Sequence, residues 1–400
     1  MQNQDITALE ERYLLHNYKR MPGVYVRGEG CYLWDEDGKK YLDFLAGIAV
    51  CQLGHCHPAV VKALRDQAGV LMHTSNYLLT PTQVKLAEKL CQISGMEKVF
   101  YTVDGTTANE TALKLAKKHG LMKRPNADYE IISLNNSFHG RSLGSLSATA
   151  QDRYQKQFLP LIPGFVHTPV NDVAALRAAF SEKTAAITLE PIQGEGGVTQ
   201  VSDEFAHEAK KLCEKYDALF ICDEVQAGLG RTGKWFYYQH WKFMPDIICI
   251  AKALGGGVPV GACLTRGAAN DIFVNGDHGS TFSGNPISTC TGLAVLETIE
   301  KEGLMENAVA MGELLKRSFL ALGPIVAEVR GTGLMVGVKL AKPIAREVVS
   351  KALEKGLITN ATDDYTLRLL PPLIVTREQV EHAMAIYAEA LGVAEPARVG

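Results

Sequence analysis

Two short apolar runs in the middle of the chain, Ala218 to Cys222 and Ile247 to Ile250, each lead into a residue with chemistry to offer. Asp223 follows the first directly, and Lys252 follows the second after one alanine. Runs of four or five apolar, partly β-branched residues read as strands buried on both faces of a parallel sheet. Ligands of such sheets bind beyond the carboxyl ends of the strands, so an acid and a lysine leaving adjacent strand ends would share one pocket. Burial disfavours an ammonium and leaves more of the amine free to attack a carbonyl. An aspartate against a pyridine nitrogen keeps that nitrogen protonated and makes the ring an electron sink. A Schiff-base lysine with a pyridinium partner is what pyridoxal phosphate (PLP) demands of a protein. Taken alone, an Asp and a Lys are more often a structural ion pair; the glycines around Lys252 and the rest of the chain reverse that reading.

Four further stretches carry candidate chemistry. KVFYTV (98–103) reads as a strand running into Asp104-Gly105-Thr106-Thr107, the start of a helix. Free N–H groups at such a start make an anion site, although most turns of this kind bind nothing. In Ser137-Phe138-His139-Gly140-Arg141, Phe138 could stack on a ring and Arg141 could take a carboxylate in bidentate fashion. Glu190 to Gly197 puts two glutamates and three glycines at a strand end, with Glu195 as a free anionic candidate. His278 to Pro286 is a polar loop able to reach a phosphate. His55, Cys56 and His57 have no second ligand cluster at zinc-like spacing, so no metal is expected.

The elements that must position these residues alternate between strand and helix. A helix is expected over 5–18, a hairpin around Asp37-Gly38, helices over 58–71 and 81–93, and strands before each motif. Helices over 287–302, 304–322, 343–355 and 377–390, with strands at 328–339, 358 and 367–369, form an α+β tail. The reading is an α/β protein: an N-terminal segment over 1–50 belonging to a small domain, a large cofactor-binding domain over 51–288, the rest of the small domain over 289–391, and a tail over 392–400.

The 400 residues are 46% hydrophobic and carry a formal net charge of −3, which argues against nucleic acid or a polybasic membrane contact. No apolar run approaches the roughly 20 residues of a membrane span. Nine scattered cysteines and a polar N-terminus suit a soluble, cytoplasmic protein with free thiols.

Laid in order, DFLAGIAVCQLGHCHPAVV, FHGRSLGSLSAT, LEPIQGEGGV, DEVQAGLGRTG, AKALGGGVPVGA and HGSTFSGNP resemble the class III PLP-dependent aminotransferases of fold type I over almost the whole chain. The resemblance implies a large domain with a mostly parallel seven-stranded sheet and a smaller α+β domain. It implies that Lys252 holds PLP and moves the proton, Asp223 pairs with the ring nitrogen, Gln226 bonds the ring hydroxyl and Phe138 covers the ring. Gly105 and Thr106 would hold the phosphate, and Thr281 with Ser280 would arrive from the partner subunit of a homodimer. Arg141 would bind the donor's α-carboxylate. Glu195 would pair with Arg368 in one half-reaction and release it to a dicarboxylate in the other.

The members most resembled imply transfer of the δ-amine of N-acetylornithine to 2-oxoglutarate, giving N-acetylglutamate semialdehyde and glutamate, a step of arginine biosynthesis. Ornithine, succinylornithine, N-succinyl-diaminopimelate and 4-aminobutyrate are the alternative donors. Other classes are an aminomutase, which has no use for a two-substrate switch, and a non-catalytic binding protein, which has no use for an intact Lys252 and Asp223. One departure stands out: Asp104 occupies a place where the family turn usually has serine. Aimed at the phosphate it would repel it by about 1–3 kcal/mol; aimed back at the helix it would act as a cap.

Overall fold

The computed structural model describes residues 3–125 and 128–394. Its centre is a seven-stranded sheet. In spatial order the strands are Lys98–Thr102, Gly261–Thr265, Ile247–Ile250, Leu219–Asp223, Thr184–Leu189, Glu130–Leu134 and Phe165–Thr168. The last five run parallel to one another, while Gly261–Thr265 is antiparallel to both of its neighbours.

Side chains alternate across each strand, which explains why the runs look apolar throughout. Leu219 and Ile221 face the helix Gly105–Lys123 through Ala108, Ala112 and Ala116, together with Ile247 and Cys249. Phe220 and Cys222 face the opposite layer with Ile248, Ile250, Phe205 and Ala209. Asp223 continues the face of Ile221 and so arrives beneath the first turns of the Gly105–Lys123 helix.

A second core lies between the chain's two ends. Leu42, Phe44 and Leu53 pack with Phe319, Val336, Leu367 and Tyr387. The hairpin of Tyr32–Asp35 and Lys40–Asp43 turns at Gly38, which has φ +81°. Its second strand pairs in parallel with Leu357–Ile358. A separate antiparallel sheet, with Val326–Thr332, Met335–Leu340, Thr366–Leu369 and Asn360–Ala361 in that order, carries Arg368.

Three expectations change in detail. The first helix spans Asn3–Tyr13 and stops short of Tyr18, because Leu14, Leu15 and Tyr18 are exposed and have no core to pack on. The helix from Pro58 ends at Ala68, three residues early, at Gly69. The strands Phe165–Thr168 and Gly261–Thr265 were not anticipated. Of the expected tail over 392–400, residues 395–400 lie outside the described residues.

Candidate active site

The carboxyl ends of the Leu219–Asp223 and Ile247–Ile250 strands open into one cavity of about 350 Å³. Its walls bring together Asp104, Gly105, Thr106, Phe138, Glu190, Asp223, Gln226 and Lys252, from five separate stretches of sequence. Lys252 follows the Ile247–Ile250 strand with a left-handed backbone, φ +41°, at the start of a short 3₁₀ turn. A non-glycine residue in that region is held there by its surroundings, a feature common at functional sites. Burial lowers the Lys252 ammonium below the ordinary lysine value, the direction that frees the amine.

Asp223 forms the floor and is buried. Its Oδ2 accepts from Asn109 Nδ2 at 2.8 Å and lies 2.7 Å from His139 Nδ1; its Oδ1 accepts from the Val225 N–H at 3.0 Å. Burial alone would lower the His139 pKa, but the hydrogen bond and charge of Asp223 outweigh it and raise it. The other ring nitrogen, His139 Nε2, is buried with no partner among the described residues. Asn109 and His139 were not picked out as site residues from the sequence. His139 lay inside FHGR, but the contact of Asn109 with Asp223 spans 114 residues and leaves no local signal.

In the sequence Glu190 is one of two glutamates at a strand end. Its two oxygens accept from the Phe138 N–H at 2.8 Å and the Gly194 N–H at 3.2 Å. One carboxyl therefore ties the loop bearing Phe138 to the loop bearing Glu195. Burial pushes its pKa up. The Phe138 ring lines the cavity and meets the Tyr154 ring edge-on at 5.8 Å. Arg141 is exposed, with its guanidinium 3.8 Å from the Tyr154 ring centre and 5.5 Å from that of Phe138.

Glu195 and Arg368 meet, as the resemblance implies. Arg368 Nη1 donates to Glu195 Oε1 at 2.6 Å, to the Gly194 carbonyl at 3.0 Å and to Gln226 Oε1 at 3.3 Å. The Arg368 side chain is 1% exposed and that of Glu195 20%. Burial raises the Glu195 carboxyl, but the charge and hydrogen bond of Arg368 outweigh it, so it titrates below the usual value.

Asp104 turns back onto its own helix. Its Oδ1 accepts from the Thr107 N–H and the Thr107 hydroxyl, each at 2.7 Å, closing a capping box. The cap uses neither the Gly105 nor the Thr106 N–H, and the first helical N–H groups have no partner within the helix.

Ser280 and Thr281 do not line the Lys252 cavity. They lie with His73, Asn76, Tyr77 and His278 around a separate depression of about 1070 Å³. His55 and His57 are otherwise engaged: His55 Nε2 lies 2.8 Å from Asp43 Oδ2, and His57 accepts from the Ala59 N–H. Among the described residues no helix is long and apolar enough to cross a membrane.

The donor set fits PLP: an acid fixed on the floor, an amine with a lowered pKa beside it, free N–H groups at a helix start, and an aromatic wall. The comparisons agree. The family model described as Aminotransferase class-III matches residues 13–391. An acetylornithine aminotransferase of Caldanaerobacter subterraneus subsp. tengcongensis is 45% identical, over 96% of this chain and 98% of that protein. Two crystal structures superpose along nearly the full length. The ornithine aminotransferase of Toxoplasma gondii ME49 has a TM-score of 0.94 and 32% identity, over 98% of this chain and 95% of that one. The acetylornithine aminotransferase of Elizabethkingia anophelis has 0.87 and 34%, over 98% and 99%. With its motifs, its sheet and its cavity in agreement, the chain belongs to the class-III aminotransferases.

Proposed function

We propose that the chain transfers the δ-amine of N2-acetyl-L-ornithine to 2-oxoglutarate, giving N-acetyl-L-glutamate 5-semialdehyde and L-glutamate in arginine biosynthesis. PLP, the cofactor of the class-III aminotransferases, supplies an electron-withdrawing ring that carries the amino group between the two substrates. Asp223 keeps the ring nitrogen protonated, and Asn109 and His139 hold its carboxylate in place. Lys252 anchors the cofactor through its amine and then moves the proton at the reacting carbon. Phe138 covers one ring face, Gln226 meets the ring hydroxyl, and the Gly105 and Thr106 N–H groups take the phosphate.

Arg141 takes the α-carboxylate of acetylornithine. Arg368 takes the α-carboxylate of glutamate or 2-oxoglutarate. The observation that carries the reading is the Glu195–Arg368 pair at 2.6 Å. Paired, it presents a neutral wall to the amine donor; opened, it presents a cation to a dicarboxylate. A mutase or a binding protein has no need of such a pair.

A second reading, ornithine as donor, draws on the likeness to the Toxoplasma gondii enzyme. A free α-ammonium needs an acceptor at the cavity. The carboxylates lining it are already engaged: Asp104 by Thr107, Glu190 by two N–H groups and Asp223 by three partners. The acylated donor, whose amide is neutral, fits better.

Thr281 and Ser280 complete the site from the partner of a homodimer in this reading. Support comes from Tyr77 and Phe282 near them, which are 96% and 63% exposed. A soluble, cytoplasmic enzyme with the expected domain boundaries at 50, 288 and 391 completes the proposal. The test is to follow each half-reaction separately with acetylornithine and with ornithine. Faster turnover of ornithine would move the assignment to that donor.

A further inference from the structure

The proposed switch requires Glu195 to leave Arg368, which raises the question of where its carboxylate goes. The backbone around it is pinned on both sides. The Gly194 N–H donates to Glu190 and its carbonyl accepts from Arg368. The Gly196 carbonyl accepts from Thr199 Oγ1 at 2.8 Å, and the Gly197 carbonyl from Arg330 Nε at 2.8 Å. Neither flanking glycine has spare room: a Cβ on Gly194 would lie 2.3 Å from the Gln226 amide, and one on Gly196 would lie 2.8 Å from the Asn136 carbonyl. Release by movement of the loop would break these contacts. Release by rotation of the Glu195 side chain breaks none of them.

Space for that rotation exists on the outer side of the pair. A cavity of about 410 Å³ is lined by Glu195, Asn136, Gln151, Asp152, Arg153 and Asp363, among others. Its acids are occupied. Asp152 is paired with Lys156 at 2.8 Å, and Asp363 Oδ1 accepts from the Tyr365 and Thr366 N–H groups at 2.7 and 2.9 Å. Arg330, the other cation beside the loop, is tied to Glu328 at 2.9 Å and to the Gly197 carbonyl. Arg153 is less committed. Its Nε donates to Gln151 Oε1 at 2.9 Å and its guanidinium lies 4.6 Å from the Tyr154 ring centre. Its charge already helps to hold the Glu195 carboxyl ionised, after the larger influence of Arg368 and Lys252.

We infer that Arg153 is the second partner of Glu195: on release from Arg368 the carboxylate rotates into this outer cavity and is received by the Arg153 guanidinium. Arg153 is then a positioning residue. It touches neither substrate, and it favours the dicarboxylate half-reaction by stabilising the open state of the pair. The inference rests on the two-state reading of Glu195 and Arg368 and says where the second state lies.

The test is the affinity of the PLP-loaded enzyme for glutarate, a dicarboxylate with no amine or keto group to react. The guanidinium is exposed, so Arg153→Ala should weaken glutarate by about three- to fivefold. Arg153→Glu should weaken it by about tenfold or more, and Arg153→Lys should stay within about twofold of the unaltered enzyme. In a Glu195→Gln background the effect of Arg153→Ala should vanish, because there is no carboxylate left to receive. An equal loss in that background would mean that Arg153 acts on the ligand directly, and would overturn the inference. An unchanged affinity in Arg153→Glu would overturn it too. The switch itself is read separately, by whether Glu195→Gln alone alters glutarate affinity. Failure of acetylornithine as a donor would leave the glutarate result standing.

Discussion

Two carboxylates, one on the cavity floor and one paired with Arg368 behind Gln226, are held in opposite ways. At the floor, Asp223 is buried, and three donors from three parts of the chain fix both of its oxygens. Arg368, which donates to the cavity-lining Gln226, is as deeply buried, but its partner Glu195 is partly exposed and lines a second cavity. In the proposed reaction Asp223 faces one ring nitrogen through both half-reactions, and such a carboxylate gains from being preorganised. A carboxylate that must meet two substrates of different charge gains from having two places to be. The same residue chemistry thus serves a constant and a variable, and the packing around it decides which.

This contrast can be broken by substitution. Lys252→Ala should have the largest effect: a loss of at least about 10⁴-fold in turnover, together with loss of borohydride-sensitive visible absorbance. Asp223→Asn should lower both half-reactions about equally, by about 10²–10³-fold, as expected for removing a preorganised charge. Unequal losses would show that the floor too discriminates between substrates. Glu195→Ala should split the halves, slowing the amine-donor half by about tenfold or more while sparing the dicarboxylate half, because Arg368 is left as a bare cation. Equal loss in both would remove the switch from the account.

Two smaller effects sharpen the picture. Burial lowers the Lys252 pKa, so the free amine appears below pH 10.5. Capture of PLP by the empty enzyme should rise with pH through a midpoint below that of ordinary lysine; a midpoint at or above it would contradict the burial argument. The smallest change is expected for Asp104→Ser, since serine also caps helices and Asp104 is turned away from the phosphate turn. PLP affinity should stay within about twofold. Asp104→Ala, which removes the cap, should cost about 1 kcal/mol in unfolding free energy.

The pattern of what could be read from the chain follows from how far apart the causes lie. Asp223 and Lys252 were legible because each lies at or within two residues of the end of an apolar run, and strand ends converge in a parallel sheet. The Glu195–Arg368 pair was legible only through the resemblance and the logic of two substrates, since 173 residues separate them. Asn109, His139 and Glu190 act by holding other residues, and nothing in their own neighbourhoods announces that. Gly261–Thr265 escaped notice because its small residues give a weak strand pattern; its antiparallel place is set by both neighbours. The end of the first helix was missed for the opposite reason: the apolar spacing continues to Tyr18, but no core lies beneath it.

The most direct test of the account is a single-turnover mixing experiment with the PLP-loaded enzyme. N-acetylornithine, ornithine and 4-aminobutyrate are added separately, and the visible absorbance of the cofactor is followed. The account predicts rapid loss of that absorbance with N-acetylornithine, much slower change with the other two, and recovery on adding 2-oxoglutarate. No change with N-acetylornithine, or a faster change with another amine, would contradict it.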